Sequence, residues 1–205
     1  MRVIAAALTA LGLVAALAAC QPSTNAVGQE DMSLGNPSAK VTVIEYASLG
    51  CPHCARWSNE VFPLFKAKYV DTGKARYVLR EFLTGDPSVA AAGFLLARCA
   101  GKDKYFQVVD DVYHHLMDME QPGARPRDVL QKIAESAGLS DQQFNACIDN
   151  DAALLALNKR VDAYARDQHI QATPTFVING KTYDSGEMPI DQMDKAIALA
   201  EAQAK

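Results

Sequence analysis

The stretch Lys40-Val-Thr-Val-Ile-Glu-Tyr-Ala47 is β-branched and apolar, and two cysteines follow it almost at once in Cys51-Pro52-His53-Cys54. The first stretch predicts a short strand, ended by Ser48-Leu49-Gly50. After the second cysteine, apolar residues at Trp57, Val61, Leu64, Phe65 and Tyr69 have helical spacing, which predicts a helix over 55–69. Pro63 removes a backbone donor and crowds the preceding turn, so a kink is expected there. Lys74 to Phe82 predicts a second strand. Strand, helix and strand within roughly thirty residues form a βαβ unit, hence parallel pairing.

From Gly85 to Asp149 the pattern turns helical, with segments over 87–100, 103–119 and 127–137, and a start at Ser140-Asp-Gln-Gln. Asp86 stands where a cap for the first of these belongs. A long helix over 152–168 follows, then a strand over 173–178, an Asn179-Gly180 hairpin turn, its partner over 181–183 and a closing helix over 189–204. Strands at both ends and helices between them describe an α/β domain split by a helical insertion over about 85–150.

The first residues stand apart. Arg2 precedes an uncharged run from Val3 to Ala16, closed by Leu17-Ala18-Ala19-Cys20. The run is short for a transmembrane span and reads as a secretory signal over 1–19. The small residues before Cys20 resemble the lipobox of bacterial lipoproteins, in which the cysteine carries the lipid. The alternative is ordinary cleavage near Ala18 or Ala19. Small polar residues over 20–33 then read as a tether, and the folded domain as 34–205. With a net charge of −4 and no basic stripe, nothing points to nucleic acid.

Of five cysteines, setting Cys20 aside leaves Cys51, Cys54, Cys99 and Cys147. An even number in an exported chain suggests two pairs, and spacing makes Cys51 and Cys54 the functional one. A CxxC can also be half a zinc site or a staple. A second CxxC is absent, and a loop of two residues removes little chain entropy, so no metal or other cofactor is expected. A cysteine just after a strand, with Pro52 in the first helical turn, has its sulfur at a helix N-terminus. Unpaired amides and the helix dipole stabilise a thiolate there, and His53 can add charge or a donor to the same sulfur. Cys51 is therefore expected to be the exposed nucleophile, with Cys54 buried and resolving. A stabilised thiolate makes the disulfide form a strong oxidant.

Glu45-Tyr-Ala-Ser-Leu-Gly-Cys-Pro-His-Cys-Ala and Ala172-Thr-Pro-Thr-Phe-Val-Ile-Asn-Gly resemble the DsbA-like thioredoxin-fold family. Ala97-Arg-Cys-Ala and Phe144-Asn-Ala-Cys-Ile resemble its alphaproteobacterial-type members. The resemblance runs from about Leu34 to the C-terminus and implies a thioredoxin fold with a helical insertion. It implies Cys51 as nucleophile, Cys54 as resolving cysteine and Pro174 as a cis-proline facing them, with the Thr173 backbone free to pair with an extended substrate. It places Glu45 beneath the redox pair, where burial would raise its pKa and let it relay the Cys54 proton. It also implies a structural disulfide between Cys99 and Cys147; two buried free thiols are the alternative.

The expected activity is oxidation of reduced, newly exported proteins on the periplasmic side of a bacterial membrane. Reoxidation would come from a DsbB-type membrane quinone reductase. A reductase or isomerase, or a redox-silent chaperone or binding module, are the alternatives. The short tether leaves no room for a dimerisation domain, so a monomer is expected.

Overall fold

The computed structural model describes residues 27–183 and 186–204. The signal segment and Cys20 lie outside the described residues. Five strands form one sheet in the order β1-β3-β2-β4-β5, made of Met32–Leu34 (β1), Val41–Ala47 (β2), Ala75–Glu81 (β3), Thr175–Ile178 (β4) and Lys181–Tyr183 (β5). The helices are Pro52–Glu60 (α1), Phe62–Phe65 (α2), Pro87–Cys99 (α3), Lys102–Met119 (α4), Pro126–Ser136 (α5), Asp141–Ile148 (α6), Asp151–Asp167 (α7) and Ile190–Gln203 (α8). This is a thioredoxin fold with a helical insertion between β3 and β4.

Central β2 pairs in parallel with β3, from Val41 opposite Ala75 to Ala47 opposite Glu81, as the βαβ reading requires. β4 runs antiparallel to β2 and sets Phe176 opposite Glu45. The helix after the cysteines does break. α1 stops at Glu60, Val61 lies between it and α2, and a single π turn over Lys66–Val70 follows. Pro63 is in the first turn of α2, where its missing N–H costs nothing. At the hairpin, Asn179 (φ 45°) and Gly180 (φ 87°) both take positive φ, the geometry of a type I′ turn. Local caps form where their residues stand. Asp86 accepts from the N–H groups of Ser88 and Val89, and Ser140 forms a capping box with Gln143.

Side chains alternate across a strand, so Val43, Glu45 and Ala47 share one face of β2. That face packs with Trp57 of α1, Phe65 of α2, Phe94 of α3, Leu116 of α4 and Ile197 of α8. Ile44 and Tyr46 face the other way, with Val78, Ile170 and Val177, against Val161 and Tyr164 of α7. Glu45 is thus carried on the core face of the central strand, under α1.

The domain begins earlier than the expected boundary at residue 34. β1 pairs antiparallel with β3, and Met32 is buried. Asp31 accepts from Nε and Nη2 of Arg80, at 3.2 and 3.0 Å, and Arg80 lies over the rings of Tyr46 and Tyr164. Residues 31–33 fall in the expected tether, yet Asp31 neutralises a buried arginine and Met32 and Ser33 pair along the sheet edge.

The insertion is tied to the sheet by one carboxylate. Glu81, 1% exposed at the end of β3, accepts from Arg98 of α3 (2.5 Å), Tyr105 of α4 (3.1 Å) and Arg160 of α7 (2.6 Å). Within the insertion, Cys99 at the end of α3 and Cys147 in α6 are joined by a disulfide, with Cα atoms 5.9 Å apart. It closes a loop spanning a sequence separation of 48, a constraint worth about 2–4 kcal/mol.

Candidate active site: a cysteine pair at a helix N-terminus

The residue before α1 is Cys51, whose extended backbone (φ −106°, ψ 115°) turns the chain from the β2 loop into the helix. Its N–H donates to Ser48 O at 3.1 Å, its C=O accepts from Ala55 N at 3.0 Å, and Pro52 occupies the first helical turn. The thiol of Cys51 is held down at about 5. The largest cause is a hydrogen bond from the Cys54 side chain; the Thr173 side chain and the backbone N–H groups of Cys54 and His53 add to it, against the cost of burial. Cys54 is pushed the other way, well above an ordinary thiol, by burial first and then by its bond to Cys51 and the charge of Glu45. Both thiols are free in this structure. Two cysteines one turn apart therefore differ sharply in acidity, which separates a nucleophile from a thiol that keeps its proton.

Two expectations need correcting. Cys51 is only 6% exposed, against 0% for Cys54, so the order of exposure is as expected but the nucleophile is not open. The loop carrying Thr173 covers it, with Thr173 O 3.5 Å from Cys51 Sγ. Nor does the His53 ring serve the sulfur. Its Nδ1 lies 2.6 Å from Glu187 Oε1, which also accepts from Arg56 at 2.6 Å, and the contribution of His53 to the thiolate comes from its backbone N–H. The second helical position points outward, towards the chain between β5 and α8, and not back over the cap. The same segment is anchored by Trp57 Nε1 donating to Met188 O at 2.9 Å.

Glu45 is buried beneath the pair. Tyr77 of β3 donates to its Oε2 at 2.5 Å, while Oε1 has no partner among the described residues. Burial pushes the carboxyl up to about 8; the Tyr77 bond pulls it down, and the negative charge on Cys51 pushes it further up. A group at this value both holds and releases a proton near neutral pH.

A rigid frame positions the two sides of the site. Gly50 and Gly85 pack backbone to backbone: a Cβ on Gly50 would lie 2.0 Å from Asp86 O, and one on Gly85 would lie 1.7 Å from Gly50 O. Asp86 N donates to Gly50 O at 2.9 Å, and Ser48 Oγ donates to Thr84 O at 2.8 Å. From the same β3–α3 turn, the Thr84 hydroxyl meets the Thr173 hydroxyl at 2.5 Å, beside the cis peptide bond between Thr173 and Pro174. Sequence reasoning missed Ser48, Tyr77, Thr84, Gly85 and Glu187. Of these only Gly85 carried a signal, as a requirement for close backbone approach.

A family model described as Thioredoxin matches residues 28–198. A Rickettsia conorii protein bearing the name protein-disulfide oxidoreductase is 34% identical over 87% of this chain, which spans 64% of that relative's length. A Bacillus cereus protein bearing the name disulfide bond formation protein D is 26% identical, over 80% of this chain and 76% of its own length. Among solved structures, alpha-DsbA1 of Wolbachia pipientis superposes with a TM-score of 0.77 at 27% identity, over 87% of this chain and 94% of that one.

Proposed function

Because the chain belongs to the DsbA-like thioredoxin-fold family, we propose that it is a dithiol oxidase, donating the Cys51–Cys54 disulfide to reduced exported proteins. One observation carries this reading. Cys51 is held at about 5 while Cys54 is pushed well above an ordinary thiol, so the reduced pair is stabilised and the disulfide is correspondingly oxidising.

A substrate thiolate attacks Cys51 Sγ and forms the mixed disulfide. The Cys51–Cys54 bond breaks, and Cys54 leaves with the electron pair and takes a proton from the Glu45 carboxyl. The second substrate thiol loses its proton to solvent and attacks the substrate's own sulfur. Cys51 departs as the stabilised thiolate. The protein gains two electrons and the substrate loses two. The Thr173 backbone, beside Cys51, pairs with the substrate as a short added strand. Reoxidation reverses these steps against the disulfide of a DsbB-type membrane quinone reductase.

Residues 1–19 act as a signal and Cys20 as the lipid-bearing residue, which would keep a monomeric domain at the periplasmic side of a membrane. Loss of the protein from the membrane fraction in a Cys20→Ser variant tests that placement; retention would contradict it.

The activity is tested by mixing the oxidised chain with an equal amount of a reduced dithiol peptide. Near-complete transfer of the disulfide to the peptide is expected. An oxidised chain that leaves the peptide reduced, together with a reduced chain that takes up the disulfide of an oxidised peptide, would mark a reductase.

A further inference from the structure

Among the described residues, the buried carboxyl of Glu45 has one hydrogen-bond donor, the Tyr77 hydroxyl. Tyr77 stands two residues before Leu79, the register partner of Glu45 on β3, and so lies on the same core face. Its ring is fixed between Phe62 (centroids 4.8 Å apart), Phe65 and Phe106 (each 6.0 Å) and Trp57 (6.5 Å). A ring wedged in this way has no room to swing its hydroxyl off the carboxyl. We propose that Tyr77 is a positioning residue that sets how readily Glu45 accepts the Cys54 proton, so that the two side chains work as one proton-handling unit; this rests on the role given to Glu45 above.

The groups facing Glu45 are Cys51 just before α1, Cys54 from α1, Tyr77 from β3 and the buried hydroxyl of Tyr113 from α4, while Tyr105 of α4 faces Tyr77. None of these is basic. Burial and the Cys51 thiolate favour the protonated carboxyl, and the Tyr77 bond favours the carboxylate. Tyr77 itself is pushed well above an ordinary phenol by burial, so it remains a donor throughout the working range.

The step affected is resolution. With Cys51 bonded to the sulfur of an incoming disulfide, Cys54 gives its proton to the Glu45 carboxylate and attacks Cys51 Sγ. The bond to the incoming sulfur breaks, and that sulfur leaves as a thiolate. The base form of Glu45 is required, and without the tyrosine hydroxyl the carboxyl titrates at higher pH. In the mixed disulfide Cys51 carries no charge, so the wild-type midpoint lies at or below about 8.

The test follows the reduced full chain, in detergent, reacting with oxidised glutathione, with acid quenching and mass separation of the mixed disulfide. Tyr77→Phe is expected to leave formation of the mixed disulfide unchanged. It should move the midpoint for resolution about one pH unit upward, roughly tenfold slower below the midpoint, and Glu45→Gln should remove that pH-dependent limb. An unmoved midpoint in Tyr77→Phe overturns the inference. Should Tyr77→Phe fail to fold, carbon NMR of the wild-type chain decides: the Tyr77 Cζ signal must titrate with the Glu45 carboxyl, and an independent Tyr77 signal overturns it. A wild-type chain that forms no mixed disulfide brings down the proposed function itself, a failure visible before Tyr77 is tested.

Discussion

Replacing Cys51 by alanine is expected to abolish disulfide transfer, whereas replacing Cys54 by alanine leaves attack intact and stalls the protein as a stable mixed disulfide. The difference follows from acidity. A thiol held at about 5 is almost wholly ionised at pH 7, while an unperturbed one near 8.5 is only a few per cent ionised, about a thirtyfold difference in thiolate. Cys54, buried and pushed upward, supplies no comparable thiolate to substitute for Cys51. Its thiol is also the largest cause of the lowered value at Cys51. The alanine variant at Cys54 should therefore titrate Cys51 above 5, seen as thiolate absorbance against pH. A Cys51→Ala protein that still turns over dithiol substrate, or a Cys54→Ala protein that never accumulates the adduct, would reverse the assignment.

The depressed Cys51 value is also a stability statement. The folded reduced protein gains about 2–3 kcal/mol at pH 7 relative to a thiol that titrates near 8.5 when unfolded. That gain is fully present above the unfolded value and is lost as pH falls through about 5. The oxidised form has no such thiolate. In the proposed oxidase, this contribution of the Cys51 thiolate favours the reduced state at neutral pH.

The second large effect is far from the cysteines. Glu81→Ala is expected to cost about 3–5 kcal/mol in denaturant unfolding, the range for removing one partner of a buried ion pair. Arg98 and Arg160 would both lose their shared carboxylate, and Tyr105 would lose its acceptor. These three come from α3, α7 and α4, so the loss falls on the attachment of the insertion to the end of β3, next to the Thr84–Asp86 turn that braces Gly50. A change below about 1 kcal/mol, the size of an exposed pair, would contradict this role.

Much of this molecule was legible because its signals are local. The β-branched β2 run, the cysteine pair with Pro52, the Asp86 cap, the Ser140–Gln143 box and the Asn179-Gly180 turn each need only neighbouring residues, and each forms where it is written. What escaped was nonlocal. Tyr77 meets Glu45 across a separation of 32, and Thr84 meets Thr173 across 89; neither residue type marks its partner. Glu81 reads as an ordinary acidic strand end until three helices converge on it. Met32–Leu34 is three residues long, too short for alternation to show, and becomes a strand only because β3 offers an edge. The His53 ring was misassigned for a related reason: proximity in sequence suggested the sulfur, but the helix turns that side chain towards Glu187.

In the proposed oxidase, the Cys51–Cys54 disulfide is an oxidant because its reduced form is stabilised at Cys51. The most direct measurement is the reduction potential of that pair, obtained by equilibrating the protein with glutathione buffers and separating the two forms by mass. A value near −120 mV, the strongly oxidising end for such pairs, is predicted; one near −270 mV, where thioredoxin lies, would contradict a dithiol oxidase.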